Sequence, residues 1–151
     1  PIRAMSPSSP TRMESRFTIV TMALSLPNQH QKKKRRKMRV VEKPWGKEEI
    51  WAETDKYLGK FLYINIGEML SRQYHEVKDE TICVVEGILM LELGKPEETG
   101  FKRVYLTPGS TFRVKPGTVH RFCASTVNVK LAEVSTPEID DVVRLEDKYS
   151  R

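Results

Sequence analysis

Between Lys60 and Val134 the chain is written in short runs of alternating apolar and polar residues, separated by turns that hold Gly and Pro. Successive side chains of a strand point to opposite faces, so runs of this kind predict half-buried β-strands. Lys60 to Ile66 sets Lys60, Leu62, Ile64 and Ile66 on one face, while Thr81 to Val85 and Ile88 to Leu93 are aliphatic or β-branched and meet at Glu86-Gly87. After a polar turn over residues 94–100 come Phe101 to Leu106, Thr111 to Val114, His120 to Ala124 and Val127 to Val134. Short strands in this number, with no long helical period, predict an all-β antiparallel barrel or sandwich. A short helical turn is expected within Pro137 to Asp147, with Ile139, Val142 and Val143 packing across the barrel mouth and the carboxylates at its start suiting a helix N-terminus.

Charge changes this picture at one end only. The 151 residues carry a formal charge of +6. Residues 1–38 hold nine Lys and Arg against Glu14, a charge of +8, whereas residues 39–151 hold seventeen basic and nineteen acidic groups, a charge of −2. The basic character therefore belongs to the first segment, with its block Lys32-Lys33-Lys34-Arg35-Arg36-Lys37. That segment reads as a solvated, disordered arm or an upstream extension; a nuclear-localisation or polyanion-binding arm is the alternative, and no nucleic-acid motif follows it. Met38 precedes the first patterned residue and is a candidate start. The apolar stretch Phe17 to Leu26 is broken by Thr18, Thr21 and Ser25 and is too short to span a membrane. Residues 39–151 then suffice for one domain. Cys83 and Cys123 lie in strand-like runs without paired spacing, which points to buried free thiols and a cytoplasmic protein.

The candidate chemistry is a split set of metal donors. Gln73-Tyr74-His75 and then Glu80 come from one stretch, and His120 ends Lys115-Pro116-Gly117-Thr118-Val119-His120. The imidazoles of His75 and His120 bind a cation while neutral, Glu80 adds an anionic oxygen, and the Gln73 carbonyl adds a neutral one. Residues 73 and 75 are expected to share a face of one strand, and Glu80 to return to it across the turn at Glu76-Val77-Lys78-Asp79.

These residues, with their glycine frame, resemble the cupin family. The spacing Gly67, Gln73-Tyr74-His75, Glu80, Gly87 follows the first cupin motif with Gln73 at its first His, and Gly109 with Lys115 to His120 resembles the second. Within cupins the sequence is similar to the mannose-6-phosphate isomerase domain of bifunctional mannose-1-phosphate guanylyltransferase/isomerase proteins. Lys43-Pro44-Trp45-Gly46, Leu70-Ser71-Arg72-Gln73, His75, Lys78, Glu80, Asp140-Asp141-Val142-Val143-Arg144 and Asp147-Lys148-Tyr149-Ser150-Arg151 carry that likeness. Thr81-Ile82 stands where those proteins have His-Trp, and Ser150 where they have Gly. The resemblance implies a single-domain cupin barrel or jelly roll with one divalent ion per subunit (zinc, manganese, nickel or iron), and a homodimer. Pro44 to Trp51 supplies two large aromatics to cover an exposed sheet.

The leading expectation is a sugar-phosphate isomerase or close relative. Lys60, Lys78, Arg121 and Arg144 are the expected contacts for phosphate or developing negative charge, and Glu133 is the expected base. In that scheme Glu133, Lys60 and Arg144 serve catalysis, while Lys78 and Arg121 bind substrate. A non-catalytic sugar-binding cupin and a metal-dependent oxygenase are the alternatives, since the same donors serve each.

Overall fold

The computed structural model describes residues 37–97 and 100–150. The expectations for residues 1–36, which hold nearly all of the basic arm, lie outside the described residues. The described chain forms eleven strands and no helix: β1 (Arg39–Lys43), β2 (Gly46–Glu53), β3 (Leu58–Ile64), β4 (Arg72–Tyr74), β5 (Glu80–Glu86), β6 (Leu89–Gly94), β7 (Lys102–Leu106), β8 (Thr111–Val114), β9 (Val119–Cys123), β10 (Val129–Ser135) and β11 (Val143–Glu146). All pairings are antiparallel. One sheet has six strands in the order β1-β2-β3-β10-β5-β8, and the other has five in the order β11-β4-β9-β6-β7. The result is a jelly roll of two sheets rather than a closed barrel.

The core lies between the sheets and follows the alternation. Leu62 and Ile64 of β3, Ile82 and Val84 of β5, and Val129 and Leu131 of β10 face Leu89 and Leu91 of β6 and Phe122 of β9. Burying each such side chain contributes roughly 1.5–3 kcal/mol, so this face fixes the register of every strand that crosses it. Trp45 joins the same core. Inward faces also carry polar residues at one end. Lys60 precedes Leu62 on β3, Glu133 follows Leu131 on β10, and Glu80 precedes Ile82 on β5.

Two expectations need correction. Ile66 does not continue the inward face of β3, because the strand ends at Ile64 and Ile66 is exposed. No helical turn forms in Pro137 to Asp147; two turns lead into β11, which pairs with β4 through Val143 and Tyr74. The physical reason is a long-range contact. The Asp141 carboxylate accepts the backbone N–H groups of Glu76, Val77 and Lys78 at 3.0, 2.7 and 2.7 Å, so it clips another loop instead of starting a helix.

Candidate metal centre

The two motifs meet through their backbones. Gly117, in the left-handed region at φ +76°, donates its N–H to the His75 carbonyl at 2.7 Å. A residue with a Cβ is strained in that conformation, so the glycine of the second motif lets its turn reach the first. His120 then enters β9 opposite Gln73, its register partner on β4. His75 itself lies just beyond the end of β4.

A ring nitrogen of His75, one of His120 and a carboxylate oxygen of Glu80 lie within 4.8 Å of one another, with Nε2 of His75 3.6 Å from Glu80 Oε2 and Nε2 of His120 3.3 Å from Oε1. All three residues are 2% exposed. Nδ1 of His75 donates to the Asp141 carbonyl, and Nδ1 of His120 to the Thr118 carbonyl at 3.1 Å. Carbonyls only accept, so each Nδ1 carries the proton and each Nε2 presents a lone pair. Neither Nε2 has a hydrogen-bond partner, nor does Oε1 of Glu80. Buried polar atoms without partners are costly, and three converging ones fit a cation. Burial holds the His75 ring below the ordinary imidazole range despite the pull of Glu80, so it is neutral at pH 7. Burial pushes the Glu80 carboxyl up, but the Lys78 ammonium at 2.5 Å outweighs it and keeps the group well below the usual range, hence ionised.

Behind these donors runs a buried line of alternating charge. Lys78 Nζ contacts Glu80 Oε2 at 2.5 Å and Glu133 Oε1 at 2.8 Å. Lys60 Nζ lies 3.3 Å from Glu133 Oε2 and 3.6 Å from Glu48 Oε1. Burial depresses the Lys78 ammonium, yet Glu133 and Glu80 outweigh that and hold it above the usual lysine range. With Oε2 of Glu80 taken by Lys78, Oε1 is the oxygen left for a cation.

A cavity of about 300 Å³ opens onto the centre, walled by residues of both sheets and of the segment before β11. Of the residues singled out from sequence, Gln73, His75, Lys78, Glu80, Lys60, Glu133 and Arg144 all line it. The Gln73 carbonyl oxygen accepts the Ser71 hydroxyl at 2.6 Å, which fixes the amide and leaves a second lone pair on that oxygen. His120 and Arg121 are not among the lining residues: His120 sits behind the wall, grouped with His75 and Glu80, whereas Arg121 lies elsewhere. It follows His120 directly on β9, so it faces the other side of the sheet, where it meets Glu146 at 3.1 Å and the Met69 sulfur at 3.6 Å. That parity was already present in the sequence. Asp141, Thr118 and Glu48, which hold the rings and Lys60, were missed because their roles arise from long-range backbone and side-chain contacts.

A family model described as mannose-6-phosphate isomerase C-terminal matches residues 28–147. The chain belongs to this family. Mannose-1-phosphate guanylyltransferase ManC of Salmonella typhimurium is 33% identical over 119 residues, which are 75% of this chain and 23% of that protein. Mannose-1-phosphate guanylyltransferase 2 of Escherichia coli O157:H7 is 26% identical over 117 residues, 74% of this chain and 23% of that one. The chain therefore spans less than a quarter of the length of these curated relatives.

Solved structures agree on the fold of this family member. The capsular polysaccharide assembling protein CapF of Staphylococcus aureus superposes with a TM-score of 0.66 at 14% identity, over 76% of this chain and 33% of that one. KdgF of Halomonas sp. gives 0.58 at 22% identity, over 68% and 89%. Lactobacillus farciminis oxalate decarboxylase gives 0.58 at 16% identity, over 72% and 33%. The architecture is that of a cupin. No helix among the described residues is long and apolar enough to cross a membrane.

Proposed function

We propose that this cupin is a metal-dependent isomerase of the sugar-phosphate class, acting on a phosphorylated aldose or ketose. The observation that carries the reading is the convergence of three partnerless donor atoms at the base of a cavity, in a member of the mannose-6-phosphate isomerase C-terminal family. His75, His120 and Glu80 would hold one divalent cation, with Gln73 beside them as a neutral fourth donor. Such a cation supplies Lewis-acid polarisation of a sugar carbonyl. The protein side of the chemistry is positional and electrostatic. Lys78 and Lys60 place two ammonium groups along the inner wall, each shared between two carboxylates, so negative charge that develops on a bound sugar draws on them in competition with Glu80, Glu133 and Glu48. The buried Phe122 and Trp45, which also line the cavity, exclude water from that wall.

One observation favours a second reading, a sugar-binding cupin without turnover. Both oxygens of Glu133 are already held by ammonium groups, at 2.8 and 3.3 Å, so a substrate proton must displace a lysine to reach it. Metal analysis followed by a sugar-phosphate panel, with and without chelator, separates the readings. Turnover that disappears with the metal and returns with it supports the isomerase. Tight binding without conversion supports the binding module, and substrate-dependent oxygen uptake identifies oxygenase chemistry instead.

A further inference from the structure

We infer that Arg144 binds the anionic group of the ligand, a phosphate monoester, at the solvent-facing rim of the metal cavity. The inference rests on the sugar-phosphate reading and extends it to the residue that recognises the phosphate. Its first support is the state of the other cations on the wall. Lys78 is held by Glu80 and Glu133, Lys60 by Glu133 and Glu48, Lys43 by Glu48 at 3.7 Å, and Arg39 by Glu53 at 2.8 Å. An incoming anion must compete with a carboxylate at each of these. The Arg144 guanidinium lines the same cavity, is exposed, and has no ion-pair or hydrogen-bond partner among the described residues. Asp140 is the lining carboxylate without an ion pair, and its exposure leaves it screened by water.

The second support is a distortion of β11. The register runs Arg144 opposite Gln73 and then Glu146 opposite Arg72, with an irregularity between them. Two steps on β11 therefore match one step on β4, and Leu145 is the extra residue. In a regular strand residues 144 and 146 would share a face. The bulge separates them: Glu146 meets Arg72 and Arg121 on the outer face, while Arg144 stays on the cavity side beside Gln73. Bulges next to functional sites commonly re-aim a side chain in this way. The free guanidinium thus stands beside the donor set, where a divalent ion would add to the attraction for an anion. Its planar fork matches the paired oxygens of phosphate, which a point charge does not.

Calorimetric titration of the metal-loaded full chain tests this with four probes: mannose 6-phosphate, inorganic phosphate, mannose and a hexuronate. The unaltered protein is expected to bind mannose 6-phosphate more tightly than mannose. Arg144→Gln should weaken mannose 6-phosphate and inorganic phosphate about tenfold, leave mannose and metal content unchanged, and Arg144→Lys should fall between. Equal affinity of the Arg144→Gln protein and the parent for both phosphates overturns the inference, as does an equal loss for mannose. A loss confined to the hexuronate overturns the phosphate assignment. The isomerase reading fails separately: phosphate binding that depends on Arg144 without any turnover keeps the inference and removes the isomerase. Turnover with an unchanged KM in Arg144→Gln does the reverse.

Discussion

At the residue scale, the centre is defined by what its side chains leave unsatisfied. Oε2 of Glu80 is taken by Lys78 and both Nδ1 atoms are taken by carbonyls, so the free valences all point to one place. His75→Ala and His120→Ala each remove one charge-free but strongly ligating nitrogen and are expected to abolish bound divalent metal. Gln73→Ala should cost less, because a neutral carbonyl attracts a cation more weakly and its oxygen also accepts from Ser71. Metal content of the purified, folded variants checks this, and full occupancy in both His variants would remove the assigned site. The donor residues were legible because their types are rare and their spacing is fixed. What was not legible is how the lysines are spent. Lys60 and Lys78 read as free cations for a substrate, whereas the fold gives each of them two carboxylate partners. Arg121 was misplaced for a different reason: it follows the donor His120 directly on one strand, which already sets the two side chains on opposite faces, a parity that the expected substrate contact contradicts.

At the element scale, the segment from Pro137 to Ser150 acts as a strap along the five-stranded sheet. Its Asp141 carboxylate clips the loop at residues 76–78 while its Asp141 carbonyl holds the His75 ring, and Lys148 reaches Glu68 at 2.8 Å. Asp141→Ala keeps the carbonyl but frees the loop between His75 and Glu80. Loss of such a supporting contact is expected to lower metal affinity about tenfold with the fold retained, measured by competition with a chelator. Unchanged affinity would show that the loop holds its shape without the clip. On the outer face the strap meets Arg72 and Arg121, and Arg72 also binds Glu92 at 2.7 Å. Burial raises the Glu92 carboxyl, but the hydrogen bond and charge of Arg72 outweigh it, with Arg103 adding to them, and hold it below the usual range. A depressed folded-state value means this contribution is fully present above the unfolded value, about 4.3, and is lost as pH falls through the folded one. Glu92→Gln should therefore lower stability at pH 7 by about 2 kcal/mol, with the gap to the parent closing on acidification. Denaturant unfolding at several pH values reads this directly; a gap that persists at low pH would assign the loss to packing. The strands that face the core were legible from period two, and the strand expected through residues 73 and 75 overlaps β4 but ends before His75, whereas β1, β2 and β11 were not legible. β4 has three residues and β1, β2 and β11 are mostly exposed or half-exposed, so none carries a clean apolar stripe.

At the scale of the whole molecule, the two open matters are the partner and the boundary. The aromatic pair expected to cover a sheet divides: Trp45 is in the core, while Trp51 is 47% exposed and lies tilted against Phe61, with ring centroids 6.2 Å apart. Cys83 and Cys123 are free thiols on strands of different sheets, but only Cys123 is buried as expected, Cys83 being half-buried on the outer face of β5, and burial pushes the Cys123 thiol up to about 11. We propose self-association through the outer face of the six-stranded sheet around Trp51 and the exposed Val134. Sedimentation should give a dimer that Trp51→Glu weakens, and a parent protein that is monomeric at every concentration would reject it. The boundary prediction concerns residues 1–37. The donors and all eleven strands lie beyond Met38, and β1 begins at Arg39, whose side chain already lines the cavity. Cutting before Met38 leaves β1 whole, so the shortened chain should keep its metal content and thermal midpoint while losing salt-sensitive attraction to polyanions. Cutting before Pro44 instead removes Arg39, Val41 and Lys43 from the cavity wall and should lower ligand affinity. The family match begins at residue 28, which makes the comparison decisive. If the chain starting at Met38 unfolds or loses its metal, residues 28–37 are part of the domain and its boundary lies upstream of Met38.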